Sequence, residues 1–125
     1  MMPEPDFRFR CYSDPVSLDK LGDFYLRRGQ SGDAERALEC FEESNKTDKR
    51  LLEANPTSAE AARDVSVSHY KLAQIHMQAK HQSQAVEHLT ACFAILDGFH
   101  QAGRPMDPAM EQLRQQLAGM LKRDA

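Results

Sequence analysis

The sequence contains an internal recurrence with a period of 51 residues. The positions that recur without a gap are Val16, Ser17, Lys20, Leu21, Ala34 and Leu38, which return as Val67, Ser68, Lys71, Leu72, Ala85 and Leu89. Gly22 returns as Ala73, so a small residue is kept there. Recurrence at a fixed period indicates similar structural units stacked on one another.

Each unit has the apolar spacing of two α-helices. Leu18, Leu21, Gly22 and Tyr25 share one helix face, and the pattern restarts after Gly29–Gly32 with Ala34, Ala37, Leu38 and Phe41. A short turn predicts that the two helices pack antiparallel. A glycine inside a helix costs about 0.5–1 kcal/mol relative to alanine. We therefore expect Gly22 to lie at a close helix–helix approach, which would offset that cost.

Turn and capping residues divide the chain into five predicted helices. The predicted helices run from Asp14-Pro15 to Gly29, from Ser31 or Asp33 to about Ala54, from a capping box at Thr57–Glu60 to about Lys80, from about Ser83 to Gln101, and from Asp107-Pro108 to about residue 122. Asn55-Pro56 ends the second helix, because the residue before a proline is disfavoured in the α region. We therefore predict an all-α protein.

The second helix is the least regular of the five. Residues Ser44 to Arg50 are polar all round, and Leu51 and Leu52 then restore an apolar stripe. We interpret it as one long helix whose central turns project past the core, and a break near Asn45 is the alternative. The apolar faces of the later helices are Ala62, Val65, His69, Leu72, Ala73 and His76; Ala85, Leu89, Cys92, Leu96 and Phe99; and Met110, Leu113, Leu117, Met120 and Leu121.

This spacing resembles the tetratricopeptide repeat (TPR) family, whose signature is matched by Leu21-Gly22, Tyr25, Ala34 and Leu38, and by Leu72-Ala73, Ala85, Leu89 and Cys92. The chain departs from the pattern at Phe41, where the family has a small residue, at His76, where it has tyrosine, and in its long period. Long-period bacterial TPR arrays share the Asn55-Pro56 and Arg63-Asp64 pairs.

The resemblance extends from Asp14 to Leu121 and implies an α-solenoid with a right-handed superhelix. Two antiparallel hairpins, at about 14–55 and 57–102, would be followed by a capping helix at about 107–122. Residues 1–13 would form a flexible leader, and residues 14–125 the repeat domain.

The resemblance also implies a function, which is to bind a segment of another protein in a concave groove lined by the first and third helices. The implied contact residues are Val16, Asp19, Asp23, Leu26, Arg27, Val67, Tyr70, Gln74, Met77 and Gln78. Asp19 and Asp23 are four residues apart, a spacing at which like charges destabilise a helix by roughly 0.2–0.5 kcal/mol. They predict a neutral or basic partner with an apolar anchor. In the alternative interpretation, Lys20 and Arg27 neutralise them on an ordinary solvated face.

Two other function classes stay open. Phe7, Phe9 and Tyr12 could mediate self-assembly into a homodimer. The chain could also be a regulatory module of a larger bacterial signalling protein or enzyme complex. No phosphate-binding loop, Cys-x-x-Cys, nucleophile elbow or paired-carboxylate motif is present, so we predict neither an enzyme nor a cofactor.

His88 and Cys92, four residues apart on one helix, have a spacing that can present two metal ligands. No further ligand lies nearby in sequence, and Cys92 falls on a core position of the repeat. We therefore favour packing over zinc binding. His76, in place of a core tyrosine, is interpreted as a buried imidazole that keeps one hydrogen bond.

Charge and cysteine content restrict the partners and the compartment. The formal net charge of −3 favours neither nucleic acid nor an anionic membrane surface. The three cysteines are odd in number and widely spaced, which is typical of a reducing compartment. The first ten residues lack the apolar core of a signal peptide, and no apolar run reaches 18 residues. We therefore predict a cytoplasmic location.

Overall fold

The protein is all-helical throughout residues 15–123, the part of the chain that the computed structural model describes. The helices are α1 (Pro15–Arg28), α2 (Asp33–Ala54), α3 (Ala59–Gln78), α4 (Gln82–Gln101) and α5 (Pro108–Arg123). No strand occurs in this range. The prediction of an all-α protein with five helices is confirmed. The predicted leader, at residues 1–13, and the Asp14 cap lie outside the described residues.

Each helix packs mainly against the helices next to it in sequence. The buried side chains form two clusters. The N-terminal cluster, from α1, α2 and α3, contains Leu18, Tyr25, Ala37, Cys40, Phe41, Leu72 and Ile75. The C-terminal cluster, from α3, α4 and α5, contains Ala62, Ala73, Leu89, Cys92, Leu96, Phe99, Met110 and Leu117. Helix α3 therefore contributes to both clusters.

The predicted apolar faces of α3 and α4 are confirmed, since all of their members are buried. The predicted burial of one alanine and of one methionine was wrong. Ala34 is exposed, although its counterpart Ala85 is buried. Met120 is exposed on α5, where Met110 and Leu117 are the buried residues. The two units are therefore less alike in packing than in sequence.

Gly22 lies against the side chain of Phe41. A Cβ atom at Gly22 would be 2.7 Å from Cζ of the Phe41 ring. Phe41 is fully buried, and the space that a larger residue would need on α1 is taken by this ring. In the second unit the corresponding residues are Ala73 and Cys92, both buried in the C-terminal cluster. The small Gly22 thus makes room for the large Phe41. The second unit has a larger residue on its first helix and a smaller one on its second.

The turn between α1 and α2 is held by Asp33. Its carboxylate accepts hydrogen bonds from Arg28 Nε at 2.8 Å, from Arg36 Nη1 at 3.1 Å and from the backbone N–H of Gln30 at 2.9 Å. These donors hold the pKa of Asp33 well below its usual range, with the Arg28 hydrogen bond as the largest cause. The prediction that Ser31 or Asp33 caps α2 was wrong. The N-cap is Gly32 at φ 83°, and Asp33 instead ties the turn to both arginines.

One face of the polar middle of α2 is buried. The helix is continuous, and Ser44, Asn45 and Asp48 all lie inside. Asn45 Nδ2 donates to Ser68 Oγ on α3 at 2.6 Å, and Ser68 Oγ donates to the Val65 carbonyl at 3.1 Å. The prediction of one long helix is confirmed. The prediction that its central turns project past the core was wrong for this face, because Ser44 bonds to Asp19 on α1 and Asn45 bonds to Ser68 on α3.

Two caps were assigned from the sequence with different success. Ser58 caps α3 by accepting from the Ala61 N–H at 3.1 Å, so the predicted box beginning at Thr57 was displaced by one residue. Asp107 Oδ1 accepts from the Met110 N–H at 2.8 Å, as expected for the start of α5. Both bonds satisfy donors that a first helical turn leaves without intrahelical partners.

Candidate functional site

A groove runs between α1 and α3, with α2 as its floor, and it contains two recesses of about 120 Å³ each. The acidic recess is lined by Val16, Asp19, Asp48, Asp64 and Val67. The mixed recess is lined by Asp23, Leu26, Phe41, Lys71, Gln74, Ile75 and Gln78. Asp19 and Asp23 are one turn apart on α1, as Val67 and Lys71 are on α3, so the recesses follow one another along the groove.

Asp48 is the most buried acid of the acidic recess. Its side chain belongs to a residue that is only 3% exposed, and the described residues provide it with neither a hydrogen bond nor an ion pair. Burial, together with the smaller effects of the negative charges of Asp64 and Asp19, raises the pKa of Asp48 to about 7. Buried carboxylates are normally paired with a donor or a cation, so this one is an exception that requires an explanation.

Asp19 is only partly satisfied. The Ser44 hydroxyl donates a hydrogen bond to its carboxylate. Its Oδ1 atom is nevertheless fully buried without a hydrogen-bond partner among the described residues. Burial raises the pKa of Asp19, and Lys71 offsets this only in part.

Asp64 lies at the more open side of the acidic recess. Its Oδ1 is 3.8 Å from Nε of Arg63, and both side chains are about half exposed. Burial raises the pKa of Asp64 in spite of that neighbour. The three acids of the recess therefore share an environment that disfavours their charged forms, since each pKa lies above its ordinary value.

The mixed recess is closer to neutral. Lys71 Nζ lies 3.6 Å from Oδ2 of Asp23 and 5.3 Å from the centre of the Phe41 ring. The interpretation in which Lys20 and Arg27 neutralise the α1 acids is thus corrected. The cation beside Asp23 comes from α3, across the groove.

The structure brings most of the predicted contact residues together. Val16, Asp19 and Val67 meet in the acidic recess, and Asp23, Leu26, Gln74 and Gln78 meet in the mixed recess. Arg27, Tyr70 and Met77 line neither recess. Tyr70 packs instead against the C-terminal cluster, while Arg27 and Met77 are exposed.

Sequence reasoning missed Asp48, Asp64 and Lys71 as site residues. Lys71 could have been found from the recurrence of Lys20, because it follows Tyr70 on the helix that was assigned to the groove. Asp48 gave no signal of its own. It stands in a polar run that resembles a solvated surface, and only the packing of α1 and α3 on α2 turns it inward.

A second group of titratable side chains lies between α3 and α4. His69 Nδ1 and His88 Nδ1 are 2.9 Å apart, and His76 Nδ1 is 3.4 Å from His81 Nδ1. The His76 and His88 rings are stacked with centroids 5.6 Å apart. Burial, together with the smaller effects of His88 and Lys49, lowers the pKa of His69 to about 4. These rings share hydrogen bonds in their neutral forms, and they join the two helices.

No set of three or more side chains within residues 15–123 is arranged to hold a metal ion. Cys92 Sγ donates to the Ser66 carbonyl at 3.3 Å, in the core position expected from the repeat. Burial raises the pKa of the Cys92 thiol to about 12. His88 and Cys92, both on α4, thus each contact a residue of α3.

Larger hollows of about 370, 410 and 430 Å³ lie outside the groove. The one of about 430 Å³ is bordered by Leu52, Ile95 and Phe99. None of these three hollows is lined by a buried carboxylate like that of Asp48. The α1–α3 groove is therefore the stronger candidate site.

Comparisons of the chain with models of protein families, with curated proteins and with solved structures gave no match. In the described part of the chain, no helix combines the length and the apolar character needed to cross a membrane. The functional argument therefore proceeds from the geometry of the groove.

Proposed function

We propose that this protein binds a segment of another protein in the groove between α1 and α3, as a two-hairpin TPR-like module whose last helix caps the array. The supporting observation is the pair of recesses that follow one another along this groove. A segment about the width of an extended chain or a single helix could contact both recesses at once.

Exposed aliphatic side chains border both recesses. Val16 is 62% exposed, Val67 41% and Leu26 39%. Isolated exposed hydrophobic residues are common, but a group beside clefts that contain charged side chains is typical of an interaction surface. These residues would supply apolar contacts to the partner.

The charges of the groove define the partner further. The acidic recess has three carboxylates, and the mixed recess has one carboxylate that already faces Lys71. A neutral or basic segment with an apolar anchor complements this surface, whereas an acidic one would be repelled.

The test begins with identification of a partner by affinity capture and mass spectrometry, followed by measurement of its affinity for two matched variants. Val67→Lys and Leu51→Lys each replace an exposed aliphatic residue with one positive charge, but only Val67 borders the groove. We expect Val67→Lys to weaken binding by about tenfold or more and Leu51→Lys to leave it nearly unchanged. The reverse result would place the interface elsewhere.

A further inference from the structure

The acidic recess is built from side chains on three different helices. Asp19 comes from α1, Asp48 from α2 and Asp64 from α3. Holding three carboxylates at one small recess is unfavourable unless a cation compensates them, because like charges repel most strongly where water is scarce. The described residues supply only Lys71 near Asp19 and Arg63 near Asp64.

Two carboxylates show that the recess lacks a donor. The Asp48 carboxylate is almost completely buried, lines the recess and has no hydrogen bond or ion pair in the described part of the chain. Asp19 Oδ1 is buried without a donor as well. Leaving a buried acceptor unsatisfied costs on the order of 1–3 kcal/mol, and more for a charged group. A group that brings several N–H donors and a positive charge would satisfy both.

The size and rim of the recess restrict that group. A volume of about 120 Å³ accommodates a few heavy atoms, since each water molecule in the liquid occupies about 30 Å³. Val16 and Val67 border the recess, and their apolar surface suits a methylene chain. Lysine and arginine combine such a chain with a cationic donor group at its end.

We propose that the acidic recess binds one lysine or arginine side chain of the partner segment, with Asp19, Asp48 and Asp64 around the cationic group and Val16 and Val67 against its methylene stem. This proposal rests on the proposed function, because it names the anchor of the segment held in the α1–α3 groove. It also assigns a role to Asp48, which has no hydrogen-bond or ion-pair partner among residues 15–123.

The test uses the ¹⁵N-labelled full chain and two short acetylated, amidated peptides of alanine and leucine. One has a central lysine and the other a central norleucine, which keeps the stem without the charge. We expect the lysine peptide to shift the amide signals of the acidic recess and to bind about tenfold or more tightly than the norleucine peptide at low salt. Added salt should reduce this preference.

Variants identify the groups responsible. Asp48→Asn keeps the shape of the side chain and should remove most of the preference for lysine, and Asp64→Asn, at the open side, should reduce it. Glu35→Gln, exposed on the same helix as Asp48, makes the same change in net charge and should leave the preference intact. Unchanged spectra elsewhere in the variants would show that the fold is preserved.

Several results would overturn the proposal. Equal affinity for the two peptides would do so, as would no binding of either, or a lysine preference that survives Asp48→Asn. If both peptides shift the signals of Leu26, Gln74 and Gln78 equally, peptide binding in the groove does not depend on the positive charge. The proposed function would then stand, but the basic anchor would not. Saturable shifts in the recess with calcium or magnesium chloride at micromolar concentration would instead identify an ion site.

Discussion

At the scale of single residues, the informative positions are those where one side chain departs from its usual environment. Gly22 lies within a helix, and Asp48 is a buried acid without a hydrogen-bond or ion-pair partner in the described part of the chain. In the first case a neighbouring ring fills the space that the residue leaves. In the second, no group of the described chain donates a hydrogen bond to the carboxylate. We therefore assign Asp48 to binding.

Replacing Gly22 with alanine should destabilise the fold. The new Cβ would lie 2.7 Å from the fully buried Phe41 ring, so the ring or helix α1 must shift. Overpacking of this kind typically lowers the free energy of unfolding by about 1–3 kcal/mol. Urea denaturation of the variant and the parent measures this difference. Gly98→Ala is the control, since no atom lies within 4 Å of a Cβ built there. It should be neutral or slightly stabilising, because alanine favours a helix over glycine by about 0.5–1 kcal/mol.

Combining Gly22→Ala with Phe41→Cys tests the match between the two positions, because the double variant reproduces Ala73 and Cys92 of the second unit. We expect a double-mutant coupling of about 0.5–3 kcal/mol in the stabilising direction. Simple additivity of the two single changes would show that the ring and the glycine are energetically independent.

Asp48→Asn should stabilise the protein above neutral pH. The pKa of Asp48 is raised from 3.8 to about 7 in the folded state, so its contribution to stability is fully present below about pH 4 and is lost as pH rises through about 7. Asparagine does not lose a proton, so the variant should gain on the order of 1 kcal/mol over the parent near pH 8 compared with pH 5. Denaturation at both pH values measures the difference. A variant that is less stable than the parent near pH 8 would contradict this assignment.

At the scale of helices, the elements follow from local sequence, whereas the site depends on how they pack. Asn55-Pro56 and Asp107 marked helix boundaries because turn and cap preferences are local. The direction of the polar face of α2 was not predictable in this way. Polarity alone predicts exposure, and only α1 and α3 make that face an interior one.

The histidines between α3 and α4 should make helix packing sensitive to mild acid. The pKa of His69 is lowered from 6.5 to about 4 in the folded state, so its stabilising contribution is full above about pH 6.5 and is lost as pH falls toward 4. His69→Gln should reduce the loss of stability between about pH 7 and pH 5 by on the order of 1 kcal/mol. Equal losses in parent and His69→Gln protein would show that the pair does not titrate as expected.

At the scale of the whole molecule, the recurrence of 51 residues predicted the pairing of long helices, and the resemblance to TPR arrays indicated which helices would line a groove. The acids were only partly predictable. Asp19 and Asp23 were chosen together from their spacing on α1, yet they lie in different recesses, because Lys71 faces one and Asp48 the other. Such a separation arises between helices and is not encoded in the spacing on one of them.

The distribution of charge along the groove predicts which peptides the molecule rejects. A peptide ending in acidic residues should show no measurable binding at micromolar concentration, since three carboxylates line one recess and the single lysine of the other already faces Asp23. Fluorescence anisotropy of a labelled acidic-tail peptide measures this, with the same peptide amidated and made neutral as the control. Saturable binding that requires the acidic end would contradict it.

The position of α3 between the two buried clusters has a consequence for local opening of the molecule. Of the two buried clusters, helix α1 contributes only to the N-terminal one, so it can separate without disturbing the buried contacts of α4 and α5. A segment bound across α1 and α3 would hold α1 in place. Amide hydrogen exchange should then slow in α1 on binding and change little in α5, so that the partner acts as a clip on one half of the molecule.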